Sequence, residues 1–137
     1  MAAGGPDDDG RYDQAWVDAF VASVPAEPIA GLPDELRVLY VITDAPDGKF
    51  AFFLDLASGV VASGTAGRLP RGEKAGITVT VKEPILLQLW SGELSRDAAF
   101  MAGDIKIEGA YEVWLDQLVP AFENESWSAT WAGARSN

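Results

Sequence analysis

The chain has no cysteine and no histidine in its 137 residues. The first absence excludes disulfides, thiolate nucleophiles and cysteine-based zinc sites. The second removes the side chain that most often moves protons near neutral pH. Neither a Ser-His-Asp nor a Cys-His arrangement can be built. The expectation is a chain that is not an enzyme, with no catalytic residue, no metal and no cofactor. Positive charge is also scarce: 10 Lys and Arg stand against 21 Asp and Glu, a net charge of −11. Such a chain repels phosphate backbones and anionic lipid surfaces, so neither nucleic acid nor stable membrane association is expected. Runs of about 18 apolar residues, the length a membrane-spanning helix needs, are missing too. The opening MAAGGPDDDGR lacks the basic-then-apolar order of a secretory leader, and the expected compartment is the cytoplasm.

What is present is bulk. Apolar residues make up 48% of the chain, aromatics 10%, and five of them are tryptophan. A chain of this length makes one domain that buries roughly 68% of its unfolded surface. Residues 1–10, rich in Gly and Asp, read as a disordered N-terminal tail, and 11–122 as the domain. Residues 123–137 read as a C-terminal tail, polar apart from Trp127 and Trp131, that can dock on the domain.

Periodicity supplies the elements. Tyr12, Trp16, Phe20 and Val24 recur every four residues, an amphipathic helix that Pro25 ends. Residues 36–43, 49–56 and 60–67 are strand-like, separated by turn signals, and pair as antiparallel hairpins; the small residues of the third suit a sheet edge. Ile77, Val79 and Val81 alternate with Thr78 and Thr80, a half-buried strand. Pro84 opens a helix to Trp90 that is apolar all round except at Gln88, so it must be buried on more than one side. Ser95 caps a short helix over 96–102, and Gly103 and Gly109 bracket a strand. Tyr111, Trp114, Leu115, Leu118, Val119 and Phe122 form one helical stripe, which Pro120 should break or kink. The strands flanking the two short helices are expected to join as a right-handed βαβ unit. The order α-βββ-β-αα-β-α, with helices mainly on one face of one sheet, is an α+β architecture.

Polar candidates are few. Arg68, Arg71 and Lys74 share a loop that lacks the Gly-Lys-Ser/Thr of a phosphate loop and reads as solvated. Asp97, Asp104, Glu108 and Glu112 match no calcium-loop spacing and read as solvated faces.

The ordered second half resembles the sterol carrier protein 2 family. The features that carry the likeness are the alternating strand 77–81, the helix 83–90 with Gly92 after it, and the short helix 97–102. The strand GDIKIEG at 103–109 and the closing helix 110–122 complete it. The stretches DGKF at 47–50 and DLASG at 55–59 fit the family's second strand and turn, and the likeness spans residues 33–122. It implies a five-stranded mixed β-sheet with helices packed mainly on one face and an apolar tunnel between them. It also implies non-catalytic binding, and transfer, of a lipid, fatty acyl or sterol-like ligand. By position, the tunnel residues would be Ile85, Leu86, Leu89, Trp90, Phe100, Met101, Leu115 and Leu118, with Trp127 or Trp131 over the mouth. The alternative is a closed-core scaffold in which Trp90, Phe100, Trp114 and Phe122 fill the tunnel. It would act through protein contacts, for example as a homodimer along a strand edge.

Overall fold

Asp13 accepts the backbone N–H of Trp16 at 2.9 Å and so caps helix α1 (Gln14–Ser23), which buries Trp16, Val17 and Phe20. This computed structural model describes residues 13–45 and 48–136, with side chains to 133; the expectation for residues 1–10 lies outside them. Strands β1 (Glu35–Ala45), β2 (Gly48–Ala57), β3 (Val60–Ala66), β4 (Ile77–Lys82) and β5 (Ile105–Gly109) form one sheet in the order β3-β2-β1-β4-β5. The chain is α+β with a mixed sheet, as the elements imply.

The mixture arises differently from the expectation. β1 and β4 are the parallel pair, with Val38 opposite Ile77, while β4 and β5 run antiparallel, with Ile77 opposite Gly109. The βαβ reading of β4 and β5 is therefore corrected. One crossover helix would return the chain to the starting end of β4. Here two helices, α2 (Glu83–Ser91) and α3 (Arg96–Ala102), lie between the strands, and the chain comes back at the end where β4 finished.

Strand alternation gives the sheet two unlike faces. Val38, Tyr40 and Ile42 of β1, Phe52 and Leu54 of β2, and Ile77, Val79 and Val81 of β4 are buried in one core cluster with the helix residues. Arg37 and Asp55, out of phase with these, point the other way and pair at 2.6 Å. At β3 the helix comes unusually close: a Cβ built on Gly64 would lie 2.7 Å from Val21 and 2.8 Å from Val17. Gln14 closes that edge, donating to the Gly64 carbonyl at 3.2 Å and accepting the Ala66 N–H at 2.8 Å.

The segment after β5 runs as α4 (Tyr111–Val113), a π-helical turn (Trp114–Leu118) and α5 (Val119–Phe122). Pro120 explains the wide turn. Its ring would clash with the carbonyl four residues earlier, and the backbone relaxes by bonding Val119 N–H to Trp114 O. The stripe thus continues through the proline without a break. Beyond it, Asn124 accepts the Trp127 N–H at 2.9 Å and starts a last helix, α6 (Glu125–Ser136). Trp127 and Trp131, one turn apart, are only 3% and 1% exposed and belong to the main core. Thr130 donates its hydroxyl to Ser23 O at 2.9 Å, fastening α6 to the end of α1.

Candidate ligand-binding layer between sheet and helices

The space between the inner sheet face and the helices is occupied mostly by aromatic rings. Trp90 of α2 lies between Trp16 and Trp131, with centroids 5.6 Å away on each side and interplanar angles of 18° and 17°. Tyr40 stacks on Phe52 at 5.1 Å. Trp131 touches rings from four further residues: Phe20 at 4.8 Å, Phe122 at 5.2 Å, Trp127 at 5.8 Å and Tyr40 at 6.2 Å. Offset and tilted pairs at these separations add roughly 0.5–1.5 kcal/mol each beyond simple burial. The C-terminal helix therefore contributes the central ring of the layer.

Beside Trp131 a cleft of about 300 Å³ opens to solvent, lined by Leu89, Trp90, Arg96, Phe122, Trp131 and small residues of α6. Its size is at the lower end of small-molecule sites. Of the residues assigned to a tunnel, Leu89 and Trp90 line this cleft. Leu86 and Leu118 are buried, while Ile85, Phe100 and Leu115 are partly buried and pack against the core. Phe100 lies against Trp114 at 6.0 Å. Met101 is 84% exposed and drops out of the site. The reason is helical geometry: Ala99 is on the buried face of α3, and two residues further on a side chain is turned about 200° away from it. The eight residues do not together line any of four clefts of about 510, 470, 310 and 300 Å³ on the described surface.

Arg96, at the start of α3, is the residue that sequence reasoning passed over. It is only 6% exposed. Its guanidinium carbon lies 5.2 Å from the Trp131 ring centroid and 5.6 Å from that of Phe122. The nearest carboxylate, Glu123, is 3.6 Å from Nη1, too long for a good hydrogen bond. That same Glu123 oxygen already accepts the Arg96 backbone N–H at 2.7 Å. Burial lowers the Arg96 pKa, with the Tyr40 and Glu123 charges and a long hydrogen bond to Glu123 acting against it. Burial likewise pushes the Tyr40 hydroxyl up to about 12, opposed by the Arg96 charge. Arg96 stands three residues before Ala99, and the two share the inward face of α3, a placement that only the packing reveals.

The remaining polar candidates stay at the surface. Arg68, Arg71 and Lys74 are exposed, and Lys74 borders a groove of about 510 Å³ on the outer sheet face with Arg37 and Asp55. Asp97, Asp104, Glu108 and Glu112 are exposed, and among the described residues no group of three acidic side chains is placed to hold a metal ion. No helix among the described residues is long and apolar enough to cross a membrane.

A mixed five-stranded sheet thus lies under helices, with an aromatic layer between them. The sequence matches the SCP-2 sterol transfer family over residues 35–116, more than half of the chain, and the chain belongs to that family. Among solved structures it is similar to a crystal structure of sterol carrier protein 2, at 16% identity and a TM-score of 0.61. That match covers 88% of this chain and 94% of the other. It is also similar to palmitated SCP2L2 from Aedes aegypti, at 21% identity and a TM-score of 0.54, covering 79% and 88%. A third likeness, at 19% identity and a TM-score of 0.52, is to the inverting sec-alkylsulfatase Pisa1 from Pseudomonas sp.. There 85% of this chain corresponds to only 15% of the enzyme. No curated protein matches the sequence.

Proposed function

We propose that the chain binds a lipid or other apolar small molecule, without catalysis, in the layer between sheet and helices. The observation that carries this is the cleft of about 300 Å³ that opens onto Leu89, Trp90 and Trp131 at the edge of the aromatic stack. Membership of the SCP-2 sterol transfer family and the likeness to a palmitated protein point the same way. In this reading α6 is the movable wall. Its Trp131 occupies the centre of the layer, and a ligand longer than the cleft enters by displacing that indole. Affinity comes from apolar surface removed from water at roughly 25 cal/mol per Å², less the cost of shifting α6.

One observation favours a second reading. The Trp16–Trp90–Trp131 stack already fills the layer, as a closed interaction domain requires. Native mass spectrometry of the purified protein, with solvent extraction of any adduct, separates the two. A stoichiometric adduct of lipid mass supports binding. A bare mass that fatty acids, fatty alcohols and sterols all fail to shift, with tryptophan emission unchanged, overturns it in favour of the closed domain.

A further inference from the structure

The two edges of the sheet are finished differently. At β3 the Gln14 side chain occupies the edge, bonding the Gly64 carbonyl and the Ala66 N–H. At β5 nothing comparable is found among the described residues. The direction of the backbone groups there follows from one hydrogen bond. Ala110 donates its N–H to the Gly76 carbonyl at 2.9 Å, so the 76–77 peptide turns its carbonyl to β5 and its N–H away. One step on, Thr78 and Thr80 face β5, with Glu108 and Lys106 opposite them. By alternation Ile105 and Ile107 turn their N–H and C=O groups to the open side. The side chains alternate as well: Ile105 is buried on the inner face, and Lys106 and Glu108 are exposed on the outer one. These two reach each other only at 4.0 Å. Just beyond the two ends of β5 stand Met101 of α3 and Tyr111 of α4, the exposed large hydrophobics of the described residues, at 84% and 51%.

We infer that the β5 edge is a self-pairing surface, on which a second copy of this chain adds its own β5 antiparallel and joins the two sheets into one. A two-fold axis between the two Ile107 residues accounts for each group just described. Ile107 exchanges both backbone hydrogen bonds with Ile107 of the second copy. Lys106 then lies opposite Glu108 of the second copy, and Glu108 opposite its Lys106, at positions where Cα atoms come to about 4.5 Å. A slip of the register by two residues either way would set Lys106 against Lys106 or Glu108 against Glu108, so the charges select the centred pairing. A lysine on an edge strand ordinarily guards it against pairing. Here the glutamate two residues later makes the same edge complementary to itself. The antiparallel arrangement also brings the Met101 end of one strand to the Tyr111 end of the other, where a thioether and a ring cover each other. The surface is small, so the association is weak and reversible. It does not depend on what the layer between sheet and helices holds.

Sedimentation velocity and light scattering on the full chain, over a concentration series reaching the millimolar range, give the test. The mass should rise from 14.6 kDa toward twice that value. Lys106→Glu and Glu108→Lys should each weaken the dimer about tenfold or more, since each sets like charges opposite one another. Net repulsion alone predicts otherwise for Glu108→Lys, which reduces the charge of −11 and would strengthen association. The double variant carrying both changes should recover the dimer. So should an equimolar mixture of the two single variants, whose edges complement each other. Ile107→Pro removes an N–H that faces the open side rather than β4, and should abolish dimerisation with the melting temperature little changed. A chain that is monomeric at every concentration overturns the proposal and leaves the edge to an extended segment of another protein. A dimer that the charge variants and Ile107→Pro leave intact overturns it too, by placing the interface elsewhere. Should Ile107→Pro fail to fold, the charge variants, both at exposed positions, decide alone.

Discussion

Two arginines sit against aromatic rings and carboxylates on opposite faces of the sheet, and only one is fully matched. Arg37 on the outer face lies 4.8 Å over Phe53 and donates to Asp55 at 2.6 Å and to Glu73 at 2.5 Å. Those hydrogen bonds, Asp55's the larger, raise its pKa. Arg96 on the inner side has two rings, one distant carboxylate and a lowered pKa. The outer arginine has what it needs from its own chain: it ties β1 to β2 and to the loop before β4. The inner one lacks an acceptor where the cleft opens. The first arginine is held by two carboxylates at short range, the second by one at 3.6 Å.

The comparison breaks most violently at the platform under Arg96. Trp131→Ala removes the ring that contacts both Trp90 and the guanidinium, and should cost about 3–5 kcal/mol in urea unfolding, as large-to-small changes of buried aromatics do. Alkali tests the inner face more gently. Tyr40 is raised to about 12 by burial, so its neutral form is favoured in the folded state. That contribution is fully present below the unfolded value near 10, and is lost as pH rises from there through 12. The slope should approach 1.4 kcal/mol per pH unit, about one proton's worth, and should vanish in Tyr40→Phe. Denaturation midpoints at stepped pH measure it. Next comes the closure of the layer by α1. Gly64→Ala places a Cβ within 2.8 Å of Val17 and Val21 and should cost about 1–3 kcal/mol by overpacking, seen as a lower melting temperature. The smallest effect should be Arg37→Met. Its melting temperature should fall slightly at low salt and match wild type in concentrated salt, because exposed ion pairs are screened, and palmitate binding should not change.

Much of the frame was legible because local chemistry and packing agree there. The alternation of Ile77, Val79 and Val81 appears as three buried residues on the sheet's inner face. Ser95 accepts the Ala98 N–H at 3.1 Å, and Gly92 and Gly103 take left-handed φ values of 87° and 80° at the helix ends, as their positions suggested. What stayed hidden depended on long-range partners. The antiparallel β4–β5 pair is set by where two helices leave the chain, which no strand pattern records. The last helix gave a weak signal because two tryptophans supply nearly all of its apolar surface, and a polar stretch with two large rings looks like a tail. The site was legible only in part. Leu89 and Trp90 stood out as apolar excess, but Arg96 is conspicuous only through its burial, and Met101 drew notice for an apolar side chain that the helix turns outward.

The stacked indoles of Trp16, Trp90 and Trp131 have an optical consequence. At 5.6 Å and nearly parallel, neighbouring rings are close enough for their electronic transitions to couple, so the three absorb as a linked set rather than as separate chromophores. Two of the three ride on α1 and α2, and the third arrives on α6. Lifting α6 would leave a pair where there had been a triplet. The circular dichroism of the indole bands would change while the peptide signal of the helices stayed nearly constant. The protein thus carries its own colour-free dye, and a ligand that parts the stack would announce itself without any added label.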